Sequence, residues 1–301
     1  MAKDTVVESP ELPWMRERRF PIRHVIPFAL CHLAVLGAVF TGVTWQAVAL
    51  CVGLYFLRMF AVTAGYHRYF AHRSFKTSRV FQFVLAFLAT SSAQKGVLWW
   101  AAHHRRHHKF SDQEGDVHSP VREGFLWSHV GWLFVAGSEE TDFDRIRDFA
   151  KYPELRFLND WQLLPPTLLA LACIAVAGLP GLFIGFFAST VLLWHGTFVI
   201  NSLAHVWGTR RFETTDTSRN NLWLALITLG EGWHNNHHRH QASCRQGFYW
   251  WEIDVTYYVL WTLSKLGVVW DLRPVPEKIL EEGRQADLAR RQGAPAIDPA
   301  E

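Results

Sequence analysis

The chain has 301 residues, half of them hydrophobic, with 15 tryptophans and 22 phenylalanines. A formal net charge of only +3 gives no strong attraction to a polyanion, so no nucleic-acid partner is expected. The four cysteines lie far apart and form no Cys-x-x-Cys pair, which argues against a zinc ribbon and a disulfide framework.

Two long segments without charged residues predict membrane spans. Residues 25–57 contain no Asp, Glu, Lys or Arg, and one straight helix of that length, about 50 Å, would exceed a hydrocarbon core of about 30 Å. The polar turn FTGVTWQ lies near the middle of this segment. Residues 161–209 are equally free of charge and are interrupted by AGLPG. We therefore predict four spans in two hairpins, near 25–41, 45–65, 162–179 and 182–203.

Basic residues flank the predicted spans on one side only. Arginines precede the first span and follow the second and fourth, whereas neither hairpin turn carries a charge. Under the positive-inside rule, both termini and all the histidine clusters face the cytoplasm. We expect a multi-pass protein of a bacterial inner membrane. A very apolar soluble core is the alternative, which the charge pattern disfavours.

The remaining segments complete the predicted fold. Val80–Gln94 and Phe125–Ala136 are apolar but too short to span, which indicates interfacial or packed helices. We divide the chain into a cytoplasmic N-terminal segment (1–24), a membrane domain (25–275) and a flexible, charged tail (276–301). The predicted fold is an all-α integral membrane protein, with four transmembrane helices in two hairpins and a cytoplasmic helical cap that carries a histidine-rich di-metal site.

Sixteen histidines are present, and many fall in three clusters. In HHRRHH, which begins at His103, and in HNNHH, which begins at His234, three histidines stand at positions i, i+3 and i+4. Such positions share one face of a helix, so three imidazoles can reach a common metal site. His67 and His72 are five residues apart, about 140° around an ideal α-helix. They fit either two different metals or a helix that ends between them.

The number of imidazoles argues for two metals. At least eight of them converge, whereas zinc takes four ligands, and three protein ligands are common in catalytic sites. Neutral imidazole suits iron, copper and zinc, so spacing does not select the metal. A solvated surface could explain one HxxHH motif, but hardly two copies plus HxxxxH on the same predicted side. A non-catalytic membrane metal-binding or transport protein stays open, although it would need more polar residues within the spans.

The ordered motifs HRYFAH, HRRHH and HNNHH, placed around two hydrophobic hairpins, resemble those of the membrane-bound fatty acid desaturases. The match is closest to the stearoyl-CoA, Δ9-type branch and covers roughly residues 25–270. AGYHRYFAHRSF, HHKFSD, SHVGWL, NSLAHVWG and GEGWHNNHH support it.

The resemblance implies two ferrous ions held by nine histidines, with O₂ as co-substrate. By motif, the metal ligands are His67, His72, His104, His107, His108, His205, His234, His237 and His238. Asn201, in the same motif as His205, would contact the site through a water. Carboxylates near the boxes that could orient the imidazoles are Asp112, Glu114, Asp116 and Glu231. His195 lies outside the pattern and inside the fourth span, so we expect a hydrogen-bonding role for it.

The resemblance also implies the reaction and its partners. Two neighbouring carbons of a long-chain acyl group would lose hydrogen, which leaves a cis double bond, at position 9 in this branch, and two waters. The chain has no GxGxxG motif after a strand and no Cys₄ cluster. Electrons would come from an external carrier of the ferredoxin, rubredoxin or cytochrome b5 type, with its reductase. A related acyl hydroxylase is the alternative within this metal class.

The acyl chain needs an apolar tunnel in a protein embedded in membrane lipid. Candidate tunnel residues, each with ordinary packing as the alternative, are Trp99, Trp100, Phe198, Trp207 and Trp233. Candidate contacts for the head group or the electron carrier are Arg68, Arg73, Arg105, Arg106 and Lys109. Animal stearoyl-CoA desaturases carry an Arg-Asp pair before the second box, where this chain has Ala102 and His103. Acyl-CoA is the expected substrate, with an acyl-lipid as the alternative.

Overall fold

The computed structural model describes residues 12–293, and the regular structure in this range is almost entirely helical. The chain enters through a short helix, α1 (Pro13–Glu17). Residues 1–11 of the predicted N-terminal segment and 294–301 of the predicted tail lie outside the described residues.

Three helical stretches are long and apolar enough to cross a membrane: Ile22–Thr41, Trp45–Ala71 and Leu164–Val206. The first consists of α2 (Ile22–Val35) and α3 (Gly37–Thr41), and the second of α4 (Trp45–Phe60) and a π-helical continuation. Both coincide with the first two predicted spans. The side chain of Thr44, which accepts a hydrogen bond from the Ala47 amide, caps the start of α4.

The third stretch has 43 residues, and as one straight helix it would measure about 65 Å, twice the hydrocarbon thickness. The AGLPG break divides it. Gly178 has a φ of +63°, a left-handed conformation that glycine adopts readily. The chain then folds back on itself so tightly that Gly181 has no room for a Cβ against the Cys173 carbonyl oxygen. The parts of this hairpin are α11 (Leu164–Pro180), a π-helical segment (Gly181–Ala188), α12 (Ser189–Asn201) and α13 (Leu203–Val206).

The second span ends in a π-helix, Ala61–Ala71, in which every residue is buried. The His72 amide donates to the His67 carbonyl oxygen at 3.1 Å, an i→i+5 hydrogen bond. The helix ends at Ala71, between His67 and His72, as the second of the two alternatives predicted, and its last turns are π-helical rather than α-helical. π-Helical turns are rare and occur often at functional sites.

The remaining elements form the cap, which we define as residues 72–163 and 207–293. Its first half contains α5 (Arg79–Thr90), α6 (Val97–Phe110), α7 (Pro120–Glu123), α8 (Phe125–His129), a 3₁₀ turn (Gly131–Phe134), α9 (Arg147–Ala150) and α10 (Pro153–Asp160). Its second half contains α14 (Leu222–Ile227), α15 (His234–Arg239), α16 (Val255–Lys265) and α17 (Glu277–Arg291). Two short strands, β1 (Lys76–Thr77) and β2 (Val269–Trp270), pair antiparallel with Lys76 opposite Trp270.

The main core lies where the π-helix packs against α5 and α6. Tyr66, Phe70, Leu85 and Leu98 are at most 1% exposed there. Each such side chain contributes about 1.5–3 kcal/mol through burial. The apolar first half of α6 is thereby fixed against the second span, and its histidine-rich second half lies beside His67. In contrast, α2 has no buried residue, which suits a lipid-facing helix.

The predicted flexible tail is instead helical over Glu277–Arg291, where it packs onto the cap. Ile279 is buried in a small cluster with Phe212 and Phe248. Arg239 Nε donates to Glu282 Oε1 at 2.7 Å. These contacts order most of the tail within the described residues.

Candidate metal centre

The nine predicted ligand histidines converge in two groups. Within each group, one ligand atom per residue lies within 4.8 Å of all the others. The first group, which we call the five-histidine group, contains His67, His72, His104, His108 and His237. The second, the four-histidine group, contains His107, His205, His234 and His238.

Helical winding explains these groups. His104 and His108, one turn apart on α6, both face the five-histidine group, and His107 on the adjoining face reaches the other group. α15 repeats the pattern, since His237 joins the first group and His234 and His238 join the second. The π-helix brings His67 and His72 into the same group.

The nitrogen spacing fits metal ligation. Nε2–Nε2 distances are 3.0 Å from His67 to His237, 2.9 Å from His72 to His104 and 3.1 Å from His205 to His234. Neighbouring ligands at 90° around a metal, with bonds of about 2.1 Å, would be about 3.0 Å apart. The residues present therefore fit a pair of histidine-bound metal ions.

Four carboxylates fix the orientation of four of the predicted ligand rings. Glu231 Oε2 lies 2.5 Å from His67 Nδ1, and Asp112 Oδ2 lies 2.9 Å from His205 Nδ1. Asp116 Oδ1 lies 3.1 Å from His107 Nδ1. An ionised carboxylate only accepts hydrogen bonds, so each of these Nδ1 atoms carries the proton and Nε2 keeps a lone pair. Three of the four candidate carboxylates thus contact a ligand, whereas Glu114 is exposed.

The fourth carboxylate, Asp216, was not anticipated. Its Oδ2 lies 2.5 Å from His238 Nδ1. His238 Nε2 is buried and has no hydrogen-bond partner among the described residues. A buried lone pair without a partner is unfavourable unless a cation accepts it. No pattern near Asp216 could have revealed it, because it lies 22 positions before His238 in a polar loop.

Burial sets the protonation of the centre. It holds the pKa values of His72, His104, His108, His234 and His237 well below the usual range, and the neighbouring histidines add to this effect. Burial opposes ionisation of Asp116, but the adjacent His107 outweighs it and lowers the Asp116 pKa to about 2. The five histidines are therefore neutral near pH 7, as metal ligation requires, and the carboxylate is charged.

Two arginines proposed to contact a head group or carrier do not fit that role. Arg68 is 1% exposed, and its guanidinium contacts Glu231 at 3.0 Å and Asp254 at 2.9 Å. Arg105 forms a bidentate pair with Asp148 at 2.9 Å and donates to carbonyl oxygens at the end of the π-helix. Both cations support the helix that carries His67, so they act within the protein rather than at its surface.

The other three basic candidates differ in exposure. Arg73 is 62% exposed and lies 3.4 Å from Asp148. Arg106 is buried, with its guanidinium 4.9 Å from the ring centre of Phe110, and Lys109 is exposed beside the same ring. Arg73 and Lys109 remain available as surface contacts, whereas burial makes Arg106 unsuitable.

A cavity of about 430 Å³ runs beside the centre. Trp99, Trp100, Phe198 and Asn201, all predicted for the substrate or metal site, line it together with His104. Seven of its 22 lining residues are Phe or Trp, and such apolar walls suit an alkyl chain.

Trp207 and Trp233 do not line this cavity. Trp207 is 50% exposed. The Trp233 indole donates to the Ile253 carbonyl oxygen at 2.8 Å, which is a packing role. The tunnel prediction is therefore kept for three of its five residues.

A separate chain of three histidines joins the spans to the cap. His32 Nε2 lies 3.0 Å from His195 Nε2, and His195 Nδ1 lies 2.9 Å from His129 Nε2. His32 Nδ1 must donate to the Phe28 carbonyl oxygen at 2.8 Å. This donation leaves His32 Nε2 to accept from His195 Nε2, and His195 Nδ1 to accept from His129 Nε2. The Ser202 hydroxyl lies 3.0 Å from both His129 Nδ1 and the Phe198 carbonyl oxygen. His195 thus has the hydrogen-bonding partners that its position in the span requires.

Fold and site together define a membrane-associated helical protein with a histidine-rich centre suited to two metals. The chain belongs to the fatty acid desaturase family, whose family model, described as fatty acid desaturase, matches residues 43–271. Members of this family are oxidoreductases, and the chain is accordingly an enzyme of lipid metabolism.

Curated relatives of similar length support this assignment. The chain is 36% identical to an sn-2 palmitoyl-lipid 9-desaturase of Nostoc sp. (strain 36), over 86% of this chain and 90% of that protein. It is 37% identical to an sn-1 stearoyl-lipid 9-desaturase of Synechocystis sp., over 83% and 79%. It is 35% identical to an acyl-CoA 5-desaturase of Anemone leveillei, over 90% and 85%.

Proposed function

We propose that this protein is an O₂-dependent di-iron desaturase that introduces a cis double bond at position 9 of a long-chain fatty acyl group. The observation that carries the proposal is the convergence of nine motif histidines in two groups beside an apolar cavity. Two of the relatives are named 9-desaturases, which supports the position.

The roles of the residues follow from the geometry. The five-histidine and four-histidine groups would each hold one iron ion. With O₂ and external electrons, the iron pair would supply the oxidising power that removal of hydrogen from an unactivated methylene requires. The four carboxylates keep a proton on Nδ1 of their histidines and so leave Nε2 free to bind. Trp99, Trp100 and Phe198 would hold the alkyl chain against the centre and exclude water.

The acyl carrier is CoA or a membrane glycerolipid. CoA was the first expectation from the family resemblance. Ala102 and His103 replace the Arg-Asp pair of the animal enzymes, and Arg68 and Arg105 are occupied by internal contacts. These observations favour an acyl-lipid, which two of the relatives use according to their names.

The proposed setting is a bacterial inner membrane. The hairpin at Gly178 supports a division of the third apolar stretch into two spans, which gives four in all. The arginine-rich flanks support a cytoplasmic location for both termini and the cap. Electrons would reach the centre from a separate ferredoxin, rubredoxin or cytochrome b5 type of carrier.

Expression in a host with a defined fatty acid composition tests the function. We expect new double bonds at position 9 in mapped fatty acids, and separate analysis of the CoA and phospholipid pools identifies the carrier. Purified protein should contain about two irons per chain. A product that gains one oxygen would indicate a hydroxylase, and one zinc per chain without any product would refute the proposal.

A further inference from the structure

The cavity beside the metal centre opens at a mouth that carries two cations. We define the mouth as Arg23, His24, Lys95, Gln162 and Leu163, all of which line the cavity. Arg23 is exposed and Leu163 is 71% exposed, whereas His118, which also lines the cavity, is buried. The mouth is therefore the side from which a substrate enters.

The mouth lies at the boundary of the membrane. Arg23 is the second residue of the apolar stretch that begins at Ile22, and Leu163 immediately precedes the stretch that begins at Leu164. Helix ends of this kind lie where the hydrocarbon meets the head-group layer. A lipid could thus enter the cavity with its head group still at that level.

Neither cation at the mouth forms a direct ion pair with a carboxylate of the described residues. Among residues 12–293, no carboxylate lies within ion-pair distance of the Arg23 guanidinium or the Lys95 ammonium. Glu139 pairs with His24 at 3.4 Å and attracts Lys95 only from farther away. Burial lowers the Lys95 pKa, because a partly buried ammonium without a close partner is poorly solvated.

The backbone holds Lys95 in place at some expense of conformational energy. Its φ is +69°, and that of Ala93 is +56°, both in the left-handed region that side chains disfavour. The Tyr66 hydroxyl donates to the Lys95 carbonyl oxygen at 2.8 Å. Gly96 is in such close contact with Asn159 that no side chain would fit there. The loop is thus fixed with an unpaired cation at the cavity.

We propose that the mouth binds the phosphate of the acyl carrier, with Arg23 and Lys95 as the residues that determine head-group specificity. This inference rests on the proposed desaturase function. A phosphate offers charged oxygens to both cations and to the Gln162 amide, whereas the oxygens of a sugar head group carry no charge. A glycerophospholipid fits the membrane-level mouth best, and the phosphates of CoA share the same chemistry.

The experiment compares one acyl chain on three carriers: phosphatidylglycerol, the uncharged monogalactosyldiacylglycerol and CoA. Lys95→Gln and Arg23→Gln remove one cation each, and Lys95→Gln retains the strained backbone. Arg147→Gln, at a 77% exposed position that does not line the cavity, is the matched control. A Lys or Arg near a membrane surface contributes about 1 kcal/mol, so each mouth variant should raise KM for a phosphate carrier about fivefold and leave kcat unchanged.

Binding provides a second readout that needs no turnover. Lysophosphatidylglycerol should quench the fluorescence of Trp99 and Trp100 in the metal-free protein, with about fivefold weaker affinity in each mouth variant. A lower KM for the phosphatidylglycerol or the CoA substrate than for the galactolipid would support the phosphate site. The carrier with the lower KM of these two is then the source of the phosphate. The inference would be overturned if the wild type had the same KM for the galactolipid as for the phosphate carriers. It would also be overturned if the mouth variants kept the KM and the binding affinity of the wild type. If the iron-loaded wild type acts on none of the three carriers, the proposed function itself fails.

Discussion

Replacement of Asp216 by Asn should weaken the binding of one metal ion and leave the binding of the other unchanged. Asp216 Oδ2 accepts a hydrogen bond from His238 Nδ1, and Oδ1 accepts hydrogen bonds from the Ser218 amide and the Thr214 hydroxyl, both at 3.0 Å. Asparagine has the same shape, and its oxygen would stay with Ser218. Its NH₂ group would then face His238 Nδ1, where two donors cannot meet.

The imidazole of His238 can respond only by moving its proton. With Nδ1 as acceptor, the proton lies on Nε2, the nitrogen that faces the four-histidine group and has no other partner. A protonated nitrogen is no ligand. Loss of such an outer carboxylate contact lowers metal affinity about 10- to 100-fold, or about 1.4–2.8 kcal/mol.

Metal competition against a chelator, with metal content measured by mass spectrometry, gives the affinity of each site. Asp216→Asn should lower the affinity for one of the two ions. Glu231→Gln, which acts through His67, should lower the affinity for the other. Glu114→Gln, at an exposed position, is the control for the loss of one negative charge. The reasoning fails if Asp216→Asn binds two ions as tightly as the wild type, or if both sites weaken equally.

Three further predictions concern the ligands, the pH dependence and the histidine chain. His237→Ala should abolish double-bond formation in whole cells, while the amount of membrane-inserted protein in immunoblots stays unchanged. The five predicted ligand histidines with a lowered pKa bind protons just below pH 6.5 only in the unfolded chain. The free energy of unfolding of the metal-free protein should therefore fall by roughly 1 kcal/mol per histidine for each pH unit below 6.5. An equal Tm in detergent at pH 5.5 and at pH 7.5 would contradict this. His195→Ala breaks the hydrogen bonds that join its helix to His32 and to His129, and should lower stability by about 1–3 kcal/mol, measured as a lower Tm at unchanged metal content.

Local patterns predicted the parts of the molecule that depend on local physics. Charge-free runs identified the apolar stretches, and AGLPG identified the turn at Gly178. The i, i+3, i+4 spacing on α6 and α15 was sufficient to predict convergent imidazoles. Assignment of His205, an isolated histidine, depended on family resemblance, and the structure places it in the four-histidine group.

Features set by tertiary packing were not predictable in this way. The i→i+5 winding between His67 and His72 depends on the packing of the π-helix against α5 and α6, which no local residue pattern encodes. Arg68 was proposed as a head-group or carrier contact, yet Glu231 and Asp254, more than 160 positions later, enclose it. The tail at Glu277–Arg291 is polar in composition, and only its contacts with distant cap residues show that it is ordered.

The π-helix has a consequence for bilayer mismatch. A helix that carries ligands at one end of a span cannot slide or tilt to match a thicker or thinner membrane without displacing His67. The first apolar stretch carries no ligand, and none of its most apolar window is buried, compared with 44% for the second. Adjustment to hydrocarbon thickness therefore falls on the part of this stretch that follows His32, where Leu36, Val39 and Phe40 are exposed, while the helix that carries His67 stays in register.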